Sequence, residues 1–272
     1  MPKIFGAIVI LFLGMTSSSE PRAQENPPQE ITVFAAASLH DVFARLGEDF
    51  RAKYPQARFT FNFAGSQQLL QQLQQGARAD IFASADLRHM DAAVASGLID
   101  SASVQIFLRN RLVVVFSPSS SNALRDLHDL DQPGVKIVLA DKAVPAGLYA
   151  LQMLDRCDQT ADFNPSFKTS VLANVVSYEE NVRTVLSKVV LGEADAGIVY
   201  TSDAASVAAK GIRTATIPAS VNVIATYPIG PLKESKSGGL AGRFVAFLLT
   251  DAAQEVFEHF GFIRRDGGDT IR

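Results

Sequence analysis

The chain has 272 residues, enough for one large domain or for two lobes with cores of their own. It is 47% hydrophobic and 19% charged with a formal net charge of −3, which excludes a disordered polyelectrolyte and offers no basic excess for nucleic-acid phosphates. A single cysteine, Cys157, excludes an internal disulfide and a cysteine-built metal site.

In chain order, MPKIFGAIVILFLGM places Lys3 ahead of an apolar run of about a dozen residues, too short to span a bilayer and suited to the core of an export signal. Small and then polar, proline-containing residues follow, with no cysteine for a lipid anchor. Residues 1–28 are therefore expected to be a signal peptide and polar lead-in, cleaved near residues 19–28, with the mature protein in the periplasm.

EITVFAAAS alternates Ile31, Val33 and Ala35 as a strand and ends at Ser38. That serine stands where a helix N-cap belongs, with Asp41 near a capping-box position. LHDVFARLGEDFRAKYP carries Leu39, Val42, Phe43, Leu46 and Phe50 at helical spacing and closes at Pro55. ARFTFNFAGS is a second strand, QQLLQQLQQG a helix ending at Gly76, ADIFASAD a short buried strand and LRHMDAAVASGL a helix. This strand–helix alternation predicts a parallel sheet with crossover helices. Beyond it, RNRLVVVFSP and GVKIVLAD read as strands, VPAGLYALQMLDRC as a helix opened by Pro145, and VVSYEENVRTVLSKVVLGEAD as mostly helical. AGIVYTSDAASVAAKG reads as strand, turn and helix, RTATIPASVNVIATYPIGPL as two β stretches, and GLAGRFVAFLLTDAAQEVFEHFGF as two helices. Two α/β lobes are expected, with crossings near IFLRNRL and VIATYPIG.

Enzyme signatures are absent: the sequence holds no G-x-S-x-G, H-E-x-x-H, phosphate-loop or dinucleotide fingerprint. Ser38, His40 and Asp41 are triad residue types, but they lie within one helical turn and point to different faces. The four histidines show no ligand spacing. What recurs is small residues just before or at a helix start, at Ser38, Ser66 and Ala146, with Tyr200 at another strand end and Asn181 and Val182 at another helix start. Helix N-termini carry unpaired N–H groups and the positive end of the dipole. Several together on the carboxyl edge of an α/β sheet make an anion site without a basic side chain.

Five segments in order, ITVFAAASLHDVFARLGEDF, FAGSQQLLQQLQQGARADIFASAD, KIVLADKAVPAGLYALQML, ENVRTVLSKVVLGEADAGIVYTSDA and FVAFLLTDAAQEVFEHFGF, resemble the periplasmic molybdate-binding proteins, the substrate-binding components of molybdate transporters. The resemblance implies an α/β, two-lobed periplasmic binding protein of type II, each lobe a mainly parallel sheet flanked by helices, with ligand in the interlobe cleft. Lobe 1 would be residues 29–108 plus 227–272 and lobe 2 residues 109–226, the C-terminal helices returning to lobe 1. It implies that molybdate or tungstate, the molybdenum present only as its oxyanion, is held by the hydroxyls of Ser38, Ser66 and Tyr200 and the backbone N–H groups of Ala146 and Val182. It further implies a non-enzymatic, cofactor-free, monomeric protein that hands its ligand to an ABC-transporter permease. GSQQ stands where the family more usually has GSS, setting Gln67 at the pocket edge, and the 155–177 segment is longer than usual. Binding of another oxyanion such as sulfate, and a secreted α/β hydrolase using Ser38, are the alternatives.

Overall fold

The computed structural model describes residues 28–237 and 239–267; the expected signal peptide lies outside the described residues. The strands are β1 (Gln29–Ala36), β2 (Ala57–Ala64), β3 (Ile81–Ala83), β4 (Gln105–Phe116), β5 (Ile137–Ala140), β6 (Val175–Glu179), β7 (Ala196–Tyr200), β8 (Arg213–Thr216), β9 (Ile224–Pro231) and β10 (Ile263–Arg264). The helices are α1 (His40–Lys53), α2 (Ser66–Gln74), α3 (Leu87–Ala95), α4 (Pro145–Asp158), α5 (Phe167–Ala173), α6 (Val182–Val190), α7 (Thr201–Ser206), α8 (Leu240–Leu248) and α9 (Asp251–His259).

The strands follow the order β2-β1-β3-β9-β4-β7-β5-β6, with β8 and β10 also paired to β4. Within that path β2-β1-β3 and β7-β5-β6 are parallel trios, as the strand–helix alternation predicts. Between them run β9 and β4, antiparallel to each other and to their neighbours. The twelve-residue β4 belongs to both halves: Gln105–Arg111 pair with β9, and Leu112–Phe116 pair with β7. This is the α/β arrangement expected from the sequence, with IFLRNRL on β4 and VIATYPIG on β9, the two strands that run between the parallel trios.

Each half has its own aromatic or aliphatic packing. Phe59, Phe61 and Phe63 share one face of β2 because strand side chains repeat every second residue, and their rings stack at 5.2 and 5.3 Å. Phe43 of α1 meets Phe244 of α8 and Phe257 of α9 at 6.0 and 6.4 Å, so the C-terminal helices cover the N-terminal trio. In the other half, Val185 and Val189 of α6 press on Gly197 of β7, where an added Cβ would lie 3.0 Å from each.

Two local readings are corrected. Residues 175–179 are not helical: Val175, Val176 and Tyr178 favour a pleated strand, and β6 pairs with β5 at the sheet edge, leaving α6 to begin only at Val182. The long segment after α4 carries a further helix, α5, anchored by buried Phe167 and Val171, with Phe163 stacked on His128 at 4.3 Å.

Candidate functional site

The carboxyl ends of β1, β2, β5, β6 and β7 meet at one place, where loops and helix starts enclose a small cavity. Ser38, Ser66, Ala146, Val182 and Tyr200 all line it, together with Ala36, Ala37, Ala64, Gly65, Ala85, Val144, Pro145 and Asn181. Its volume is about 10 Å³, room for about one water, so the walls lie close together. No lining side chain is charged.

Ser38 lies in a 3₁₀ turn, Ala37–Leu39, between β1 and α1. The cap expected of it does not form: α1 starts from within the turn, and the Ser38 hydroxyl sits 2.9 Å from the Tyr227 hydroxyl of β9 instead. Ser66 is the first residue of α2, and its Oγ accepts a hydrogen bond of 3.0 Å from the backbone N–H of Ala85. Ala146 is the second residue of α4, after Pro145, and Val182 is the first of α6, whose cap is the Asn181 side chain. Both N–H groups fall in a first helical turn, where the helix supplies no carbonyl. Gly147 in the same VPAG run serves packing rather than ligand approach, because a Cβ there would lie 2.1 Å from the Asp141 carbonyl oxygen.

Tyr200 ends β7 with its ring buried against Tyr227, and its hydroxyl is buried with no hydrogen-bond partner. Burial first, then the neighbouring Tyr227, Tyr149, Asp203 and Asp86, raises its pKa well above the ordinary phenol value. The hydroxyl therefore keeps its proton and is a donor waiting for an acceptor, a costly state for a buried group unless something fills it.

Charges stand just behind the cavity. Arg183, next to Val182, pairs with Asp41 of α1 and, at 3.1 Å, with the fully buried Asp203 of α7. Burial pushes the Asp203 carboxyl up to about 6 against the pull of Arg183. Burial also works to raise Asp41, but hydrogen bonds from Arg183 and His40 outweigh it and leave its pKa lowered. Further bonds cross from the α2–α3 side to the other: Gln67 Nε2 to the Glu180 carbonyl at 2.8 Å, Gln68 Nε2 to Glu180 Oε2 at 2.9 Å, and an Arg88 guanidinium nitrogen to the Ala143 carbonyl at 2.8 Å. Gly65 permits this approach, since its Cβ would lie 2.6 Å from the Glu180 carbonyl oxygen.

A larger cavity, of about 930 Å³, lies at the opposite, amino-terminal end of β1 and β3. Its buried carboxylate, Asp80, already accepts from the Thr32 N–H, the Ser235 hydroxyl and the N–H groups of Lys236 and Ser237. The triad types also disperse: Ser38 bonds Tyr227, whereas exposed His40 bonds Asp41 at 2.8 Å. The Cys157 thiol is buried in α4, and burial, with Asp158 adding, pushes its pKa up to about 12. Among the described residues no group of three or more His, Cys, Asp or Glu is placed to hold a bare metal ion, and no helix is long and apolar enough to cross a membrane.

Sequence reasoning missed Tyr227, Ala85 and the Arg183 pairs. FASAD carries the same small-residue signature as FAAAS and FAGS and so could have pointed to Ala85. Nothing in VIATYPIG signals that residue 227 meets residue 38.

Comparison with known proteins bears on the same region. Residues 31–263 match the family described as bacterial extracellular solute-binding protein. The molybdate-binding protein ModA of Mycobacterium tuberculosis is 36% identical over 247 residues, 91% of this chain and 89% of that protein. Among solved structures, the substrate binding domain of a putative molybdenum ABC transporter from Clostridium difficile is 32% identical with a TM-score of 0.64, covering 86% of this chain and 98% of that one. The Azotobacter vinelandii periplasmic molybdate-binding protein, at 20% identity, shares the fold with a TM-score of 0.74 over 86% of this chain and 98% of that one.

Proposed function

This chain belongs to the bacterial extracellular solute-binding proteins, and from that premise we propose that it captures molybdate or tungstate in the closed cavity and delivers it to an ABC-transporter permease. The observation that carries the reading is the buried, unpartnered Tyr200 hydroxyl in a cavity walled by neutral donors. A dianion with four acceptor oxygens satisfies that hydroxyl, the two serine hydroxyls and the first-turn N–H groups of Ala146 and Val182 together. Each such bond is charge-assisted, and the dipoles of α2, α4 and α6 add to it.

Two lobes, residues 29–108 plus 227–272 and residues 109–226, would part and close over the ion, hinged on β4 and β9. The protein would act outside the cytoplasmic membrane as a monomer, without a cofactor and without catalysis; Ser38 turned to Tyr227 rather than to His40 supports that reading over a hydrolase. Phosphate near neutral pH still carries a proton; the cavity lining holds no carboxylate to take it, and a proton left unpaired costs about 1–3 kcal/mol. Sulfate is an unprotonated dianion too, and only its smaller size separates it.

Thermal unfolding of the mature protein with molybdate, tungstate, sulfate and phosphate tests this. Ligand at a thousand times its Kd adds about 4 kcal/mol of apparent stability. A shift with molybdate or tungstate far above that with sulfate is expected; a sulfate shift without a molybdate shift overturns the reading.

A further inference from the structure

The Tyr200 hydroxyl is buried and bonded to nothing, so no contact of its own fixes its place. That place is set by the packing of the ring on Tyr227 and by the main chain that carries it. Up to Tyr200 the chain is held by the β4–β7 ladder, in which Leu112 stands opposite Tyr200. There the ladder stops, because Thr201 begins α7.

The side chain of Asn110 takes over from the ladder. Asn110 lies on β4 two residues before Leu112, where the antiparallel register carried past Tyr200 would set Ser202 opposite it. It is fully buried. The Arg111 backbone N–H donates to its Oδ1 at 3.0 Å, which tells the amide oxygen from the nitrogen. Nδ2 then donates to Ser202 Oγ at 2.8 Å. The Thr201 hydroxyl lies 2.9 Å from Asn110 Oδ1 and 2.8 Å from the Gly261 carbonyl, one hydrogen between two acceptors. The N–H of Tyr200 itself donates to Asp203 Oδ2 at 3.3 Å. Both side chains that follow Tyr200 are thus tied to one amide, and that amide does not line the cavity.

We propose that Asn110 is a positioning residue for ligand capture: by pinning Thr201 and Ser202 it fixes the main chain that leaves Tyr200, and through it the point at which the Tyr200 hydroxyl meets the ion. It touches no ligand, and it anchors this wall to β4, the strand that both halves share. The inference rests on the oxyanion reading of the cavity.

Calorimetric titration with molybdate compares wild type, Asn110→Ala, Tyr200→Phe and the double variant, well below their melting temperatures. Asn110→Ala is expected to weaken molybdate about three- to tenfold, the worth of the bond that a misplaced hydroxyl loses. In the Tyr200→Phe background no hydroxyl remains to be misplaced, and the same substitution is expected to leave affinity unchanged. A loss of equal size in both backgrounds, or no loss beside wild type, overturns the proposal and leaves Asn110 a residue of the fold alone. Ser202→Ala carries the same cycle should Asn110→Ala fail to fold. It removes only the acceptor of Asn110 Nδ2 and keeps the contacts of Oδ1 with Arg111 and Thr201. A loss of about two- to threefold beside wild type and none in the Tyr200→Phe background is expected; equal losses, or none, overturn the proposal. The wild-type titration judges the proposed function separately. Should wild type bind sulfate in place of molybdate, that function fails and the cycle read with sulfate judges Asn110; should it bind no oxyanion, both fail.

Discussion

The two sides of the cavity aim their hydroxyls in opposite ways. On the β1–β2 side, Ser38 and Ser66 are already bonded to Tyr227 and Ala85, so their oxygens have partners whether or not a ligand is there. On the β7 side, the Tyr200 hydroxyl is equally buried and bonded to nothing. The serine side is built at no cost to the ligand-free protein. The tyrosine side holds a buried unsatisfied donor, worth about 1–3 kcal/mol of destabilisation that an anion would relieve. Stability of the empty fold and affinity for the ion are therefore coupled with opposite sign at the two walls.

The largest effect is expected from Ser66→Ala, which would remove the proposed charge-assisted bond to the ion and also strands the Ala85 N–H. Molybdate affinity should fall about 10- to 100-fold, and ligand-free stability should drop by about 1–3 kcal/mol, read from titration and from denaturant midpoints. Equal stability in the variant would mean that Ala85 finds another acceptor and that the serine side is no better built than the other. Tyr200→Phe sharpens the contrast. It should weaken molybdate about tenfold while raising ligand-free stability by about 1 kcal/mol, a melting temperature higher by a few degrees. A variant that lost both affinity and stability would place Tyr200 with the serines.

The asymmetry was only half legible in the sequence. Ser38, Ser66 and Ala146 stand out because their strand-to-helix junctions are emptied of bulk, and Val182 and Tyr200 because they too fall at such junctions, which in an α/β alternation share one edge of the sheet. That local signal also misassigned Ser38 as a cap: an N-terminal serine reads the same whether it turns to its own helix or to a strand nearly two hundred positions away (|i−j| = 189). Tyr227 meets Ser38 and Ala85 meets Ser66 through pairings across the sheet, which no local pattern encodes. The strand at 175–179 was lost for a related reason, since an edge strand with one exposed face and a helix directly after it share a short amphipathic stretch. The order of strands was recoverable where the connections are crossover helices, and not where β9 runs antiparallel between the two trios.

The charges behind the walls titrate in opposite directions, a smaller effect that extends the comparison. Asp203 lies on the tyrosine side, fully buried, its carboxyl pushed up to about 6. A raised carboxyl pKa means the fold prefers the protonated form. The stability it contributes is complete below the ordinary carboxylate pKa of about 4 and is lost as pH rises through 6. Asp41, on the serine side, has a lowered pKa, so its contribution is present above about 4 and is lost as pH falls below that. Asp203→Asn should flatten the ligand-free stability profile between about pH 4 and 6, and Asp41→Asn should change it only below about pH 4. Reversal of these windows would show that Arg183 binds Asp203 more strongly than Asp41.

Arg183 joins the two sides, and its removal gives the smallest expected effect. Its side chain is 26% exposed and that of Asp41 is 35% exposed, so solvent screens that pair to no more than about 1 kcal/mol, and the buried Asp203, its carboxyl already pushed up to about 6, can take up a proton once Arg183 is gone. Arg183→Gln should therefore leave the molybdate association rate unchanged and speed dissociation a few-fold, measured by stopped-flow displacement, with the difference shrinking at high salt. The bonds from Gln67, Gln68 and Arg88 to Glu180 and Ala143 persist in that variant and keep the walls together. A loss as large as that of Ser66→Ala would mean that closure, rather than the donors facing the ion, holds most of the affinity. The difference between the serine and tyrosine walls would then matter for stability alone.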